Sequence, residues 1–257
     1  VKLAISGKGG VGKTTLAALL AHGFARAGHR VVAVDADPDA NLGHALGFPR
    51  EEVASLVPVA HRSDILAERS GARGAGQFFS LNPRVDDLPE RFWLERDGIR
   101  LLVMGTVSQG GAGCACPENT VLSRLIQHLV MARDDVVILD MEAGLEHLGR
   151  GTARAVDAFV VVVEPGQRSI QTAHSVVRLA SDLGIRRVYT VANKVRPQDA
   201  GSLHRALSGL ELIGQLPYDE EAIAADLAGW PVTAIPALVA GAEKIRARLS
   251  ELVAERE

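Results

Sequence analysis

The chain has 257 residues, 47% of them hydrophobic, and a formal net charge of −3. That length suits one large α/β domain spanning 1–257, and the composition supplies a substantial core. The charge balance leaves no basic footprint for nucleic acid, and no apolar run approaches the ~18 residues that cross a bilayer.

In chain order, the first predicted strand is Lys2–Ser6, and Val1-Lys2 leads into it with no secretory signal pattern. The cytoplasm is therefore the expected compartment. Gly7-Lys8-Gly9-Gly10-Val11-Gly12-Lys13-Thr14-Thr15 follows and fits G-x-x-x-x-G-K-[ST], the phosphate-binding loop. A helix predicted over Lys13–Ala27 completes the strand–loop–helix order that anion binding needs. The glycines let backbone N–H groups converge on phosphate oxygens. Lys13 reaches the β- and γ-phosphates, and the Thr14 hydroxyl suits Mg²⁺. Gly7, Gly9 and Gly12 also satisfy the dinucleotide pattern G-x-G-x-x-G, with Asp35 near the ribose-binding offset. The Lys13-Thr14 pair has no use in that pattern, so ATP is the expected ligand.

Further strands are predicted at Arg30–Val34, Ile99–Met104, Val136–Asp140, Ala158–Val163, Arg187–Ala192 and Leu212–Gln215. Helical patterns lie at Asn119–Ala132, Ser169–Leu183 and Ile235–Ala254. Several strands are apolar throughout, as expected when both faces are covered. The alternation predicts a mostly parallel, twisted sheet with helices on both faces, a P-loop NTPase domain. Phe92–Leu94, Asp97-Gly98 and Ile99–Leu102 read as a hairpin that adds an antiparallel edge. The glycine-rich stretch 70–76 reads as a surface loop. Ile245, Leu249, Leu252 and Val253 form one stripe of the last helix. Docking on the protein's own core is the expected use of it. A membrane role would set Glu251, Glu255 and Glu257 against anionic lipid.

Two acidic clusters follow strands. Asp35-Ala36-Asp37-Pro38-Asp39 offers a carboxylate to orient the water that attacks the γ-phosphate. Val136-Val137-Ile138-Leu139-Asp140 ends in an acid suited to the Mg²⁺ side. Met141-Glu142-Ala143-Gly144-Leu145-Glu146 after it is a candidate switch. Asn193-Lys194 and Pro217-Tyr218-Asp219, each predicted to follow a strand, suit adenine recognition, though ordinary loop chemistry fits equally.

The chain holds two cysteines, Cys114 and Cys116. At this spacing they cannot readily form a disulfide. Two thiolates at i and i+2 leave a metal half coordinated, and a two-fold axis would close a four-thiolate site for nickel or zinc. The helix predicted after Pro117 places its N-terminal dipole where it would lower the thiol pKa. Two inert cysteines packed in a loop are the plainer alternative. None of the eight histidines shows metal-ligand spacing, and His147 reads as structural.

Lys8 together with Lys13 resembles the deviant phosphate loop of the dimeric ATPases that include the Min and Par proteins, the nitrogenase iron protein and the arsenite-pump ATPases. The resemblance covers the whole chain. It implies a homodimer with ATP sandwiched between subunits and Lys8 reaching the partner's nucleotide. It matches Asp37 to the first switch acid and Asp140 to the Mg²⁺-side acid. Cys114-Ala115-Cys116, Gly144-Leu145-Glu146-His147-Leu148 and Gly151-Thr152-Ala153 narrow the resemblance to the nickel-insertion ATPases that mature carbon monoxide dehydrogenase. That family implies Ni²⁺ as cargo, with Zn²⁺ an alternative occupant, and apo carbon monoxide dehydrogenase as client. Glu142, where a small residue is expected, and Asn41, where the iron protein has an acid, depart from the pattern. The rival readings are a positioning ATPase that assembles on DNA or membrane, and a maturation ATPase for a different metalloenzyme.

Overall fold

The computed structural model describes residues 1–71, 79–105, 117–131, 135–142 and 155–255. An eight-stranded sheet runs in the order β3-β4-β2-β5-β1-β6-β7-β8. The strands are β1 (Lys2–Gly7), β2 (Val31–Ala36), β3 (Leu94–Arg96), β4 (Ile99–Val103), β5 (Val136–Met141), β6 (Ala158–Val163), β7 (Val188–Val195) and β8 (Leu212–Pro217). All neighbours pair in parallel except β3 and β4, whose antiparallel register sets Leu94 against Leu101. Asp97 and Gly98 join these two strands with φ of 50° and 78°. Successive left-handed residues suit the twist of a tight hairpin.

The helices are α1 (Lys13–Arg26), α2 (Leu42–Ala45), α3 (Arg50–Ser55), α4 (Ser63–Ser70), α5 (Leu88–Phe92), α6 (Pro117–Met131), α7 (Gln167–Asp182), α8 (Ala200–Ala206), α9 (Glu220–Ala228) and α10 (Pro236–Ala254). Every residue of β2, β5 and β6 is buried, because both faces of the sheet are covered. The two-residue period of a strand sorts these side chains between two cores. Ala4, Val32, Leu102, Val137, Leu139 and Val161 pack with α4, α6 and α7. Leu3, Ile5, Val31, Ala33, Ile138 and Val160 pack on the other face with α1 and α10.

In α10, Ile245, Leu249 and Leu252 are buried, and Val253 packs partly buried against the same cluster. A Cβ on Gly214 would lie 2.5 Å from Ile245 Cγ1, so β8 and α10 approach closely. The stripe docks on the protein's own sheet. None of the described helices is long and apolar enough to cross a membrane.

The structure shifts some predicted boundaries. Phe92 ends helix α5 and is not a hairpin residue. β7 continues to Val195, so Asn193 and Lys194 lie within the strand and not after it. Pro217 is likewise the last residue of β8. Ser70 closes α4, and the glycine-rich stretch from 72 onward lies outside the described residues.

Candidate nucleotide site

The chain leaves β1 at the middle of the sheet. It moves outward one way for β2 and β4 and the other way for β6, β7 and β8. Parallel sheets bind ligands beyond the carboxyl ends of their strands where the order reverses in this way. The loop after β1 stands at that point, with the ends of β2 and β5 on one side and those of β6 and β7 on the other.

Two glycines of the loop are required by their surroundings. Gly7 has φ 151°, and a Cβ there would meet the Val162 carbonyl oxygen at 2.4 Å. Gly12, at the N-cap of α1, has φ 92°, and its Cβ would lie 2.1 Å from Asn193 Nδ2. Any side chain at Gly12 therefore collides with β7 and strains the backbone. Gly9 and Gly10 are exposed, and Lys8 is half-buried. The Val11 N–H makes a long 3.4 Å turn bond to the Lys8 carbonyl.

Lys13 opens α1 and is buried. Its Nζ lies 3.8 Å from Asp37 Oδ2, an ion pair tying α1 to the segment after β2. Asp37 also accepts the Asp39 backbone N–H at 3.0 Å. Asp35 and Asp140 are register partners on β2 and β5. Asp35 is buried, and Oδ2 accepts the Leu42 N–H at 2.8 Å. Burial, more than the nearby Asp140 charge, pushes its carboxyl up to about 7. Burial likewise raises Asp140 to about 6, against the pull of the Thr14 hydroxyl and the Lys13 charge. Neither Asp140 oxygen has a partner that meets hydrogen-bond geometry.

An ionised, desolvated carboxylate with unfilled lone pairs beside a threonine hydroxyl is the donor set a hard divalent cation takes. The residues therefore fit Mg²⁺. Phosphate oxygens and water would complete the shell, because Mg²⁺ rarely relies on protein ligands alone. Among the described residues no group of three or more His, Cys, Asp or Glu is arranged to hold a metal. Cys114, Cys116, Gly144 and His147 lie outside the described residues. Glu142 is described. Its side chain is exposed, and its carbonyl accepts the Ser6 hydroxyl at 3.1 Å.

The residues expected at the base have other partners. Asn193 is buried, and its Nδ2 donates to the Val11 carbonyl at 2.8 Å. Lys194 Nζ donates to the Gly10 carbonyl at 2.5 Å and pairs with Glu164 at 2.9 Å. Asp219 caps α9 by accepting the Glu221 N–H at 2.9 Å. The Arg196 guanidinium sits 4.0 Å from the centroid of the Tyr218 ring. Glu164 and Arg196 carry no sequence motif. Only their place at the ends of β6 and β7 brings them here.

The CobQ/CobB/MinD/ParA nucleotide binding domain family matches residues 2–232. The carbon monoxide dehydrogenase accessory protein CooC of Rhodospirillum rubrum is 47% identical over 231 residues, covering 89% of this chain and 88% of that protein. An uncharacterized ATP-binding protein of Methanocaldococcus jannaschii is 45% identical over 237 residues, covering 90% of this chain and 91% of that protein. Among solved structures, the MinD cell division protein of Aquifex aeolicus superposes with a TM-score of 0.69 at 20% identity, covering 98% of each chain. A ParA family ATPase from Chlorobium tepidum gives a TM-score of 0.69 at 19% identity, covering 96% of this chain and 97% of that one. At that identity the likeness speaks for the fold. With its phosphate loop at the switch point of a parallel sheet, the chain is an ATPase of the CobQ/CobB/MinD/ParA nucleotide-binding family and a homologue of CooC.

Proposed function

We propose that this ATPase is a homodimeric, cytoplasmic metallochaperone that delivers nickel to carbon monoxide dehydrogenase. The observation that carries this reading is the 47% identity, over 89% of the chain, to a carbon monoxide dehydrogenase accessory protein. The Cys114/Cys116 pair supports it as the only thiols in the sequence, spaced to give half of a four-thiolate site.

The chemistry follows from the residues after β1, β2 and β5. Lys13 neutralises charge developing on the γ-phosphate, and Lys8 does the same for the nucleotide held by the partner subunit. Asp37 holds and orients the attacking water. Asp140 and Thr14 would hold Mg²⁺, which would screen the β- and γ-phosphate charge. Asn193 spends one amide hydrogen on the Val11 carbonyl and one lone pair on the Lys194 N–H, and its second hydrogen and lone pair would serve the adenine edge. Pro217, Tyr218 and Asp219 border the same end of the site.

Closing two subunits on ATP would bring four thiolates together, and opening after hydrolysis would lower their affinity for the metal. Coupling of this kind requires the two nucleotide states to differ in nickel affinity. The test is nickel transfer to apo carbon monoxide dehydrogenase. Wild type with ATP restores the client's activity, and Cys114→Ala/Cys116→Ala does not. Equal restoration by both proteins would refute the reading.

A further inference from the structure

A phosphate loop works by turning its N–H groups toward the ligand and its carbonyls away. In a trans peptide the carbonyl of one residue and the N–H of the next point in opposite directions. A donor that anchors a loop carbonyl from behind therefore aims the following N–H forward. β7 supplies two such donors on consecutive residues. Asn193 Nδ2 holds the Val11 carbonyl at 2.8 Å, which sets the direction of the Gly12 N–H. Lys194 Nζ holds the Gly10 carbonyl at 2.5 Å, which fixes the Gly10–Val11 peptide, whose N–H closes the turn on the Lys8 carbonyl at 3.4 Å.

Two neighbours in one strand ordinarily point to opposite faces. Lys194 escapes this by adopting φ 56°, a left-handed backbone that costs a non-glycine residue about 1 kcal/mol or more. Asn193 Oδ1 accepts the Lys194 N–H at 2.9 Å and fixes that conformation. The register of β7 against β8 shifts between Ala192 and Val195, where the strand bends. The Lys194 ammonium is then held by Glu164 Oε2 at 2.9 Å. Glu164 directly follows β6, the strand that lies between β1 and β7. The carboxylate, the ammonium and the loop carbonyl form one chain of charge-assisted contacts.

We propose that Lys194, held by Glu164, is a positioning residue for nucleotide binding: it forms a strut behind the phosphate loop that pre-orients the Gly10–Val11 peptide. The inference rests on the loop being the ATP site, and it assigns Lys194 work unrelated to the adenine base. The strut touches only protein groups, so its effect lies in binding and not in the chemical step.

The test measures ATP and ADP dissociation constants, kcat and KM for the full chain and for Lys194→Met, Lys194→Arg and Glu164→Gln. Lys194→Met should weaken both nucleotides about tenfold, one hydrogen bond's worth, while kcat at saturation stays within about twofold. Lys194→Arg should regain most of the loss. Glu164→Gln should weaken binding about threefold in the same direction. If Lys194→Met unfolds, Lys194→Arg and Glu164→Gln carry the test. Nucleotide affinities within twofold of wild type for both Lys194→Met and Glu164→Gln would overturn the proposal. A fall in kcat with unchanged dissociation constants would overturn it too. Lys13→Ala is the control for the site itself: if that variant binds ATP normally, the loop reading has failed and not the strut.

Discussion

Lys13 and Asp37 face each other across the site, with Nζ 3.8 Å from Oδ2. One opens the helix that follows the phosphate loop, and the other lies in the segment after β2. The pair ties Asp37 to the first residue of α1, which directly follows the phosphate loop. Asp37→Asn should therefore lower kcat about 100-fold or more and leave the ATP dissociation constant within a few-fold. Lys13→Ala should lose binding itself. Steady-state ATP hydrolysis with a parallel binding titration separates the two effects.

Asp140 is buried beside Thr14 with both oxygens lacking a partner that meets hydrogen-bond geometry. A residue waiting for a cation should fail selectively when its charge is removed. Asp140→Asn should shift the Mg²⁺ concentration for half-maximal hydrolysis upward by about tenfold or more. Binding of nucleotide in chelator should change far less. A Mg²⁺ titration of ATPase activity reads the first quantity, and fluorescent-nucleotide binding in EDTA reads the second.

The same burial gives the protein a pH dependence. Asp35 in the folded chain titrates at about 7, above its ordinary value of 3.8. Asp140 is raised to about 6. The folded state thus holds these protons more tightly than the unfolded state. Their contribution is fully present below pH ~4 and is lost as pH rises through 6 and 7. The nucleotide-free protein should melt at a lower temperature at pH 8 than at pH 5. Asp35→Asn should flatten that slope, recovering on the order of a few kcal/mol at pH 8. Thermal melts of both proteins across this range check it.

Much of the architecture is legible in the residues. Val136 to Leu139 and Ala158 to Val163 are unbroken apolar runs, and only a strand covered on both faces needs such a run. The phosphate loop declares itself because Gly7 and Gly12 are forced by sterics at the close approach of β6 and β7. Gly12 shows this directly through its collision with Asn193. The partners that Asn193, Lys194 and Asp219 take within the protein were not legible. An Asn-Lys pair near a strand end has the same appearance whether it reads a base or braces a loop. The difference lies in a left-handed φ at Lys194 and in Glu164, 30 residues away. No local pattern encodes either. Asp219 illustrates the same gap, since a helix cap and a base contact both call for a carboxylate at a strand-to-helix turn.

Leu249 is buried where α10 crosses β8 and α1. If the last helix is part of the core, Leu249→Ala should cost about 2–5 kcal/mol in denaturant unfolding. Its ATP KM at a permissive temperature should match wild type. A change in vesicle binding without a loss of stability would point instead to a membrane role for this stripe.

In the proposed function each chain carries half of a shared metal centre. It is tested most directly by sedimentation velocity with nickel analysis, in ATP and Mg²⁺, for wild type and Cys114→Ala/Cys116→Ala. A shared centre gives a wild-type dimer carrying one nickel per two chains, and a variant that hydrolyses ATP but carries no nickel. A wild-type protein that stays monomeric while retaining nickel, or a variant that binds the metal as tightly as wild type, would contradict it.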